Sequence, residues 1–285
     1  MSSASKAVRN FAVQVFRFSA AVFAQCVPQK HWYRTLLSLC RIQAFILRSF
    51  VAISPYRNDS RKHVLVAWLL NSWLHHLARL KRPFSIPIKV SGLEVVLDGL
   101  KSRTGLVICS GHLPLVYALL RPLADVNAPP DAVASSRREL VDGKFPLWGT
   151  AAGVPAITPS GTALVKVRNI LRKGGCLAAL IDRYLHDPAD LRLFQVIRLS
   201  GAQIVFSVVQ LMPDGTIFVE FLTAPHPFCE NDDSILSNLS VLKKRIDAIL
   251  HLTGDEFSTG TVLIPTPEIR TAEADPAVGL SKRNL

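Results

Sequence analysis

The chain has 285 residues, 49% of them apolar, and a formal net charge of +12 from 33 Lys and Arg against 21 Asp and Glu. This length suits one large α/β domain or two small domains. The excess of basic residues fits binding to nucleic acid, to anionic lipid, or to an acidic carrier or phosphorylated substrate. The sequence shows no zinc-finger spacing, no aromatic RNA-binding signature and no helix-turn-helix, so we expect lipid rather than nucleic acid.

The cysteine pattern and the N-terminus bear on the cellular compartment. The five cysteines are scattered and include no CxxC pair, which favours a reducing compartment. No uncharged apolar run reaches the roughly 18–20 residues that a bilayer-spanning helix needs. The small residues near the N-terminus are interleaved with Arg9 and Arg17, unlike a cleavable secretory signal. We therefore expect the chain to lie on a membrane rather than to cross it.

Three helices are predicted in residues 1–82, which we interpret as a helical, membrane-associating region. Residues 4–25 combine a basic and polar stripe with a broad apolar surface. Such a helix fits an anionic bilayer surface, and it fits equally well a protein core with one solvated side. The second and third helices are predicted at residues 31–51 and 63–81, on either side of a turn-rich break.

After Pro83 the pattern alternates between strands and helices, which predicts an α/β domain at residues 83–264 with a mixed, mainly parallel sheet flanked by helices. Two short apolar runs, 106–110 and 176–181, are typical of strands buried on both faces. The tail at 265–285 is rich in Pro, Ala and charge, and we predict it to be disordered. Further strands are predicted at 86–90, 132–136, 154–157, 203–210 and 216–222, and further helices at 93–100, 113–120, 140–152, 163–172 (capped by Ser160 or Thr162), 194–200 and 234–252.

The first buried run leads directly to a candidate catalytic residue, His112. Ser110 and Gly111 end the strand, and glycine permits a tight turn. Pro114 suits the first turn of a helix, so His112 is expected where a strand ends and a helix begins. In open α/β sheets this edge binds ligands. A helix N-terminus nearby would favour a neutral imidazole, although the pattern alone also fits an ordinary turn histidine.

Four blocks stand in a recognisable order along residues 86–225. They are Val90-Ser-Gly-Leu-Glu94 with the strand leading to Ser110-Gly-His112, then residues 170–182, 198–206 and 213–221. This order resembles the lysophospholipid acyltransferase superfamily, and within it the lipid A biosynthesis acyltransferases. The helical N-terminal part is compatible with the membrane-binding region of that family. The family's aromatic and arginine-rich C-terminal block is not evident, so lipid A itself is not assumed as the acceptor.

The resemblance implies transfer of an acyl group from an acyl carrier protein or CoA thioester to a hydroxyl or amine, without a metal or further cofactor. It implies a bacterial protein at the cytoplasmic face of the inner membrane, peripheral or monotopic. In the family's H-x4-D/E motif the histidine takes a proton from the acceptor and the acid orients the imidazole. His112 corresponds to that base, but Tyr117 stands in place of the acid and supplies no carboxylate.

Three hypotheses follow from this departure. Another acid orients His112, and Asp182 is the best candidate because it ends the neighbouring apolar strand. Alternatively, His112 works without a carboxylate, since a correctly held imidazole retains part of its catalytic effect. In the third hypothesis the fold has lost catalysis and binds a lipid or a protein partner.

The remaining candidate residues are predicted to bind substrate. Ser110, Gly111 and Tyr117 surround the histidine in the sequence, while Arg138 and Arg183 are candidates for gripping a phosphate or phosphopantetheine. The arginines fit a solvated surface as well. Ser110 lacks the G-x-S-x-G elbow of serine hydrolases, so we expect it to support the backbone. A lipid hydrolase that uses Ser110 as nucleophile is a further hypothesis.

Overall fold

The computed structural model describes residues 14, 18–50, 60–134, 140–158, 160–181 and 191–251. Two 3-10 helices, Gln29–His31 and Val116–Leu119, accompany the longer elements. The helices are residues 18–26 (α1), Trp32–Phe50 (α2), Ser60–Ala78 (α3), Leu93–Lys101 (α4), Leu120–Asp125 (α5), Ala163–Arg172 (α6), Arg192–Ser200 (α7) and Asp232–His251 (α8). The strands are Ile88–Ser91 (β1), Leu106–Ser110 (β2), Asp131–Val133 (β3), Phe145–Pro146 (β4), Gly153–Val154 (β5), Ala156–Ile157 (β6), Cys176–Leu180 (β7), Gln203–Leu211 (β8) and Ile217–Phe228 (β9).

Seven strands form one mixed sheet in the order β1-β9-β8-β2-β7-β3-β6. The five strands from β8 to β6 are parallel to one another, whereas β9 is antiparallel to β8 and β1 is parallel to β9. The carboxyl ends of five parallel strands therefore meet at one edge of the sheet. This architecture confirms the predicted α/β class with a mainly parallel sheet flanked by helices.

Strand β2 lies at the centre of the sheet, and all five of its residues are buried. It pairs in parallel with β7 on one side and with β8 on the other. An apolar run without polar alternation favours such a position because both of its faces meet packed side chains. The second apolar run forms β7, so the two strands that the sequence marked most clearly are neighbours in the sheet.

The N-terminal helices pack onto the sheet through the turn between β8 and β9. The Tyr33 hydroxyl donates a hydrogen bond to the Gly215 carbonyl (2.5 Å), and Arg41 donates to the Pro213 carbonyl (2.8 Å). Burial raises the pKa of Tyr33, so its hydroxyl stays protonated and remains a donor. Helices α1, α2 and α3 share one continuous hydrophobic core with the sheet. None of the helices in the described part of the chain is long and apolar enough to cross a membrane.

Two predicted helices are wrong. Residues 113–120 form turns followed by the 3-10 helix, and α5 begins only at Leu120. Residues 140–152 contain a turn and β4, which pairs antiparallel with β5 through Phe145 and Val154. The apolar spacing suggested a helix there, but Pro146 suits an extended segment better than a helix interior.

Smaller differences concern strand and helix ends. The strand predicted at 154–157 is divided by Pro155 into β5 and β6, which pair with different strands. Thr162 occupies the N-cap position of α6, but neither its hydroxyl nor that of Ser160 caps the helix; the two hydroxyls lie 3.3 Å apart. The helix predicted at 4–25 is described only at residues 14 and 18–26, which are helical. The tail at 265–285 lies outside the described residues.

We expect Gly92→Ala to destabilise the fold more than Gly143→Ala. Both glycines have a left-handed backbone, with φ of 72° and 75°. A Cβ at Gly92 would lie 2.0 Å from the carbonyl oxygen of Phe221, whereas nothing lies within 4 Å of one at Gly143. Gly143→Ala should cost about 1–2 kcal/mol for the left-handed backbone alone. Gly92→Ala should cost at least about 2 kcal/mol more, because β9 must move.

Denaturant unfolding of the two variants measures this difference directly. An equal loss of unfolding free energy in both would show that the contact between residue 92 and β9 does not constrain the start of α4.

Candidate functional site

The chain leaves β2 through a tight turn centred on His112. The Leu113 N–H donates to the Gly111 carbonyl (2.7 Å), which makes residues 111–113 a γ-turn. Because φ of His112 is not positive, this is the inverse form that is common where strands end. The turn places His112 at the carboxyl edge of the sheet, as the sequence predicted. Its side chain is exposed, although Gly111 and Leu113 on either side are buried.

A second tight turn follows immediately. The Val116 N–H donates to the Leu113 carbonyl (3.2 Å), and Leu115 has φ 67° and ψ 11°. With Pro114 as second residue and a left-handed third residue, the turn has the geometry of type II. A left-handed leucine costs about 1–2 kcal/mol, yet Leu115 is completely buried and Leu113 almost so. The packing of these two leucines therefore holds the strained turn in place.

These turns stand where the sequence predicted the start of a helix, which was one reason to expect a neutral imidazole. Pro114 does not begin a helix, and the first α-helical residue is Leu120, eight residues after His112. The electrostatic effect of a helix terminus falls off within its first turn. We therefore withdraw the expectation that a helix N-terminus adjoins the histidine.

Ser110 and Gly111 precede His112 and join the turn to β2. Both are buried, and the Ser110 hydroxyl has only a long hydrogen bond of 3.5 Å to the Gly111 carbonyl. A hydroxyl that is 0% exposed is out of reach of a bulky substrate in this conformation. The position fits backbone support rather than the hydrolase hypothesis.

An apolar cavity lies beside this turn. The cavity is small: its free space is about 20 Å³, room for about one water-sized group. Ile108, which precedes the turn, and Val116, which follows it, both line the cavity. The turn that presents His112 thus connects two of the cavity walls. The other lining residues are Tyr117, Leu119, Leu120, Ala132, Val133, Phe145, Ala178, Ala179 and Leu180.

Small side chains in the sheet account for the empty space. Ile108 on β2 is in register with Ala178 on β7, and Ala178 is in register with Ala132 on β3. Paired residues of neighbouring strands point to the same face of a sheet. Two adjacent alanines therefore leave a depression next to Ile108, and the aromatic rings of Tyr117 and Phe145 lie across it.

Tyr117, the residue five positions after His112, belongs to an aromatic cluster. Its ring packs against Phe145 (5.4 Å between centroids) and meets Trp148 edge to face (6.0 Å, 81°). Within the described residues, the buried indole N–H of Trp148 has no hydrogen-bond partner. Sequence reasoning placed Tyr117 beside the histidine but missed its place in the cavity wall, because Phe145 and Trp148 were assigned to a helix.

The end of β7 lies directly beside the end of β2. The Ile181 N–H donates to the Ser110 carbonyl (2.8 Å), so the two strands leave the sheet side by side. Asp182, Arg183 and Arg138 lie outside the described residues. Their predicted roles stay predictions.

The buried thiols of the sheet are unsuited to act as nucleophiles. Cys109 and Cys176 are buried in the sheet, as predicted. Burial raises the pKa of Cys109, and it raises the pKa of Cys176 to about 12, so neither forms a thiolate near neutral pH. Among the described residues, no group of His, Cys, Asp and Glu is arranged to hold a metal ion.

No protein-family model matches the chain, and no curated protein matches it.

We expect the left-handed backbone at residue 115 to invert the usual order of alanine and glycine. Leu115→Ala should cost about 2–5 kcal/mol because a buried side chain is lost. Glycine normally costs a further 0.5–1 kcal/mol or so relative to alanine, yet with φ at 67° Leu115→Gly should be at least as stable as Leu115→Ala. Leu113, equally buried but without a positive φ, provides the control.

Denaturant unfolding of the four variants tests this order. Leu113→Gly should be less stable than Leu113→Ala. The same order at residue 115 would contradict a strained turn.

Proposed function

We propose that this protein is a membrane-associated acyltransferase. It would move a fatty acyl group from an acyl carrier protein or CoA thioester to a hydroxyl or amine of a lipid or related acceptor. The observation that supports this most strongly is an exposed histidine on a tight turn at the carboxyl edge of the sheet, beside an apolar cavity. The acyl donor is a substrate, and the proposal includes no metal and no further cofactor.

In this proposal His112 is the general base. Its imidazole takes the proton of the acceptor hydroxyl or amine while that group attacks the carbonyl carbon of the thioester. The tetrahedral intermediate then collapses, the carbon–sulfur bond breaks, and the thiolate takes the proton from the imidazolium. The products are the acylated acceptor and the free thiol of the carrier. Backbone N–H groups or an arginine at the sheet edge would stabilise the oxyanion.

The cavity beside the turn is the proposed site for the acyl chain. Its lining is apolar apart from the hydroxyl of Tyr117, so it favours a hydrocarbon over a polar group. Because its free space is only about 20 Å³, its walls must move apart to admit a chain, and we assign it to the carboxyl-proximal part of that chain alone. The remainder of a long chain would extend from the mouth towards the membrane.

The orienting group for His112 is proposed from the sequence. Asp182 directly follows Ile181, whose N–H is bonded to the end of β2. Because Asp182 is the next residue in the sequence, we propose its carboxylate as the partner of the ring. Such an acid is a positioning residue, since it would act through His112.

A non-catalytic lipid-binding protein is the second candidate. The specific observation in its favour is Tyr117, which packs in an aromatic cluster and lines the cavity where the family motif has an acid. An aromatic wall suits binding of an apolar chain and supplies no charge for catalysis. The binding hypothesis predicts lipid association without acyl transfer.

We further propose a location at the cytoplasmic face of the inner membrane, peripheral or monotopic. The partners would be membrane lipid and an acyl carrier protein or CoA thioester rather than nucleic acid. The basic charge and the high apolar content of the sequence support this assignment.

His112→Gln should lower acyl transfer by about 10²–10⁴-fold, the usual contribution of general acid–base catalysis. Labelled acyl-CoA and acyl carrier protein thioesters, each incubated with a bacterial lipid extract, measure transfer to lipid by chromatography. His226→Gln is the matched control because His226 is exposed on β9, away from the proposed site.

Four outcomes separate the hypotheses. Loss with His112→Gln but not with His226→Gln supports catalysis, and a comparable loss with Asp182→Asn supports the orienting acid. Equal transfer by wild type and His112→Gln would exclude a catalytic histidine. Lipid binding without transfer by the wild type would favour the binding protein.

We expect Ala178→Leu to shift donor preference towards short acyl chains. The larger side chain would fill the depression on β7, so kcat/KM for a long-chain donor should fall at least tenfold more than for a short-chain donor. Ala156→Leu is the control, because Ala156 lies in the same row of the sheet but outside the cavity. A parallel loss for all donors would place the acyl chain elsewhere.

A further inference from the structure

The net charge of the protein is segregated in its N-terminal helical part. Residues 1–82 contain 13 of the 33 Lys and Arg but only one of the 21 Asp and Glu, which is Asp59. The formal charge of +12 therefore belongs entirely to these residues. Residues 83–285 contain 20 basic and 20 acidic residues and are neutral overall. A segregated positive charge indicates an interaction with a negatively charged partner on one side of the molecule.

The same part of the molecule exposes large apolar side chains. On α2, the exposed fractions are 56% for Ile42, 65% for Phe45 and 46% for Ile46. The spacing of these residues puts them on one face of the helix. Cys40, just before these residues, and Ala44, between them, are buried in the core, so the apolar face points away from it. The outward side of a helix on a globular protein is normally polar.

The two neighbouring helices add further exposed apolar side chains. Phe18 and Val22 on α1, one turn apart, are 73% and 40% exposed, and Trp68 on α3 is 43% exposed. Tryptophan is enriched where a protein meets the boundary between lipid and water, because its indole is apolar with one polar N–H. We call these six side chains of α1, α2 and α3 the outer apolar face.

The charge decides which partner this face suits. A second copy of the chain would bring two regions of +12 together, and their repulsion opposes self-association. An anionic bilayer attracts basic side chains and also accepts apolar groups below its headgroups. Lys30 and Arg34 are exposed just before the apolar part of α2 and are available to lipid phosphates.

We propose that the outer apolar face is the docking surface for an anionic lipid bilayer. The apolar side chains enter the headgroup region, while Lys30 and Arg34 contact phosphates. The inference extends the membrane association in the proposed function by naming its surface and its lipid chemistry. It does not depend on acyl transfer.

Sedimentation of the full-length chain with lipid vesicles tests this proposal. Vesicles of phosphatidylcholine are compared with vesicles in which about a third of the lipid is phosphatidylglycerol. We expect at least tenfold stronger binding to the anionic vesicles, and weaker binding as salt is raised. Phe45→Ser and Ile42→Ser should each lower binding several-fold.

Two controls are matched to these variants. Leu199 on α7 is 68% exposed, similar to Phe45, and Leu199→Ser should leave vesicle binding unchanged. The double variant Lys30→Gln with Arg34→Gln should reduce the preference for anionic lipid. The control is the double variant Arg168→Gln with Arg172→Gln, at two exposed positions on α6. It should reduce the preference for anionic lipid less.

The proposal is overturned if neutral and anionic vesicles bind equally, or if Leu199→Ser weakens binding as much as Phe45→Ser. It is also overturned if Phe45→Ser converts a dimer to a monomer in size-exclusion chromatography while vesicle binding is retained. Acyl transfer to a detergent-solubilised acceptor separates the two proposals. A variant such as Phe45→Ser that loses vesicle binding should retain this transfer. If the protein transfers no acyl group at all, vesicle binding through the outer apolar face is still expected.

Discussion

The burial of β2 on both faces and both edges is the constraint from which the rest of the site follows. Its main chain pairs with β7 and β8, so the strand has no freedom to slide or tilt. The chain that emerges from it turns at once, and the buried side chains of Leu113 and Leu115 hold the turn against the core. An exposed histidine between buried neighbours is the result. The rigidity of the sheet is thereby transmitted to a side chain that faces solvent.

Much of the sheet was predictable from the sequence, for a physical reason. The runs at 106–109 and 176–181 are short, wholly apolar and bounded by residues that end strands, so they fit a central position and little else. The hairpin of β4 and β5 was missed because pairing between Phe145 and Val154 is a contact that local periodicity does not record. Pro146 was the available signal against the helix assigned there.

The candidate site was predictable only in part. The position of His112 followed from strand and turn chemistry, but the cavity did not, since it depends on two alanines that become neighbours only when β7 pairs with β3. Pro114 suits the first turn of a helix, and it equally suits the second position of a type II turn. Gly or Asn usually follows at the third position of such a turn, and the leucine found there gave no sign of it. The charge segregation was fully visible in the sequence and needed only a count by region.

The left-handed Leu115 ties the turn at His112 to the packing of the core. The residue keeps its unfavourable conformation only while the surrounding side chains remain closely packed. Regions of a protein open with different free energies, and a residue with many buried contacts belongs to the regions that open late. The direction of the histidine is therefore tied to the integrity of this part of the core, and a change that loosens the packing around Leu115 should also release His112.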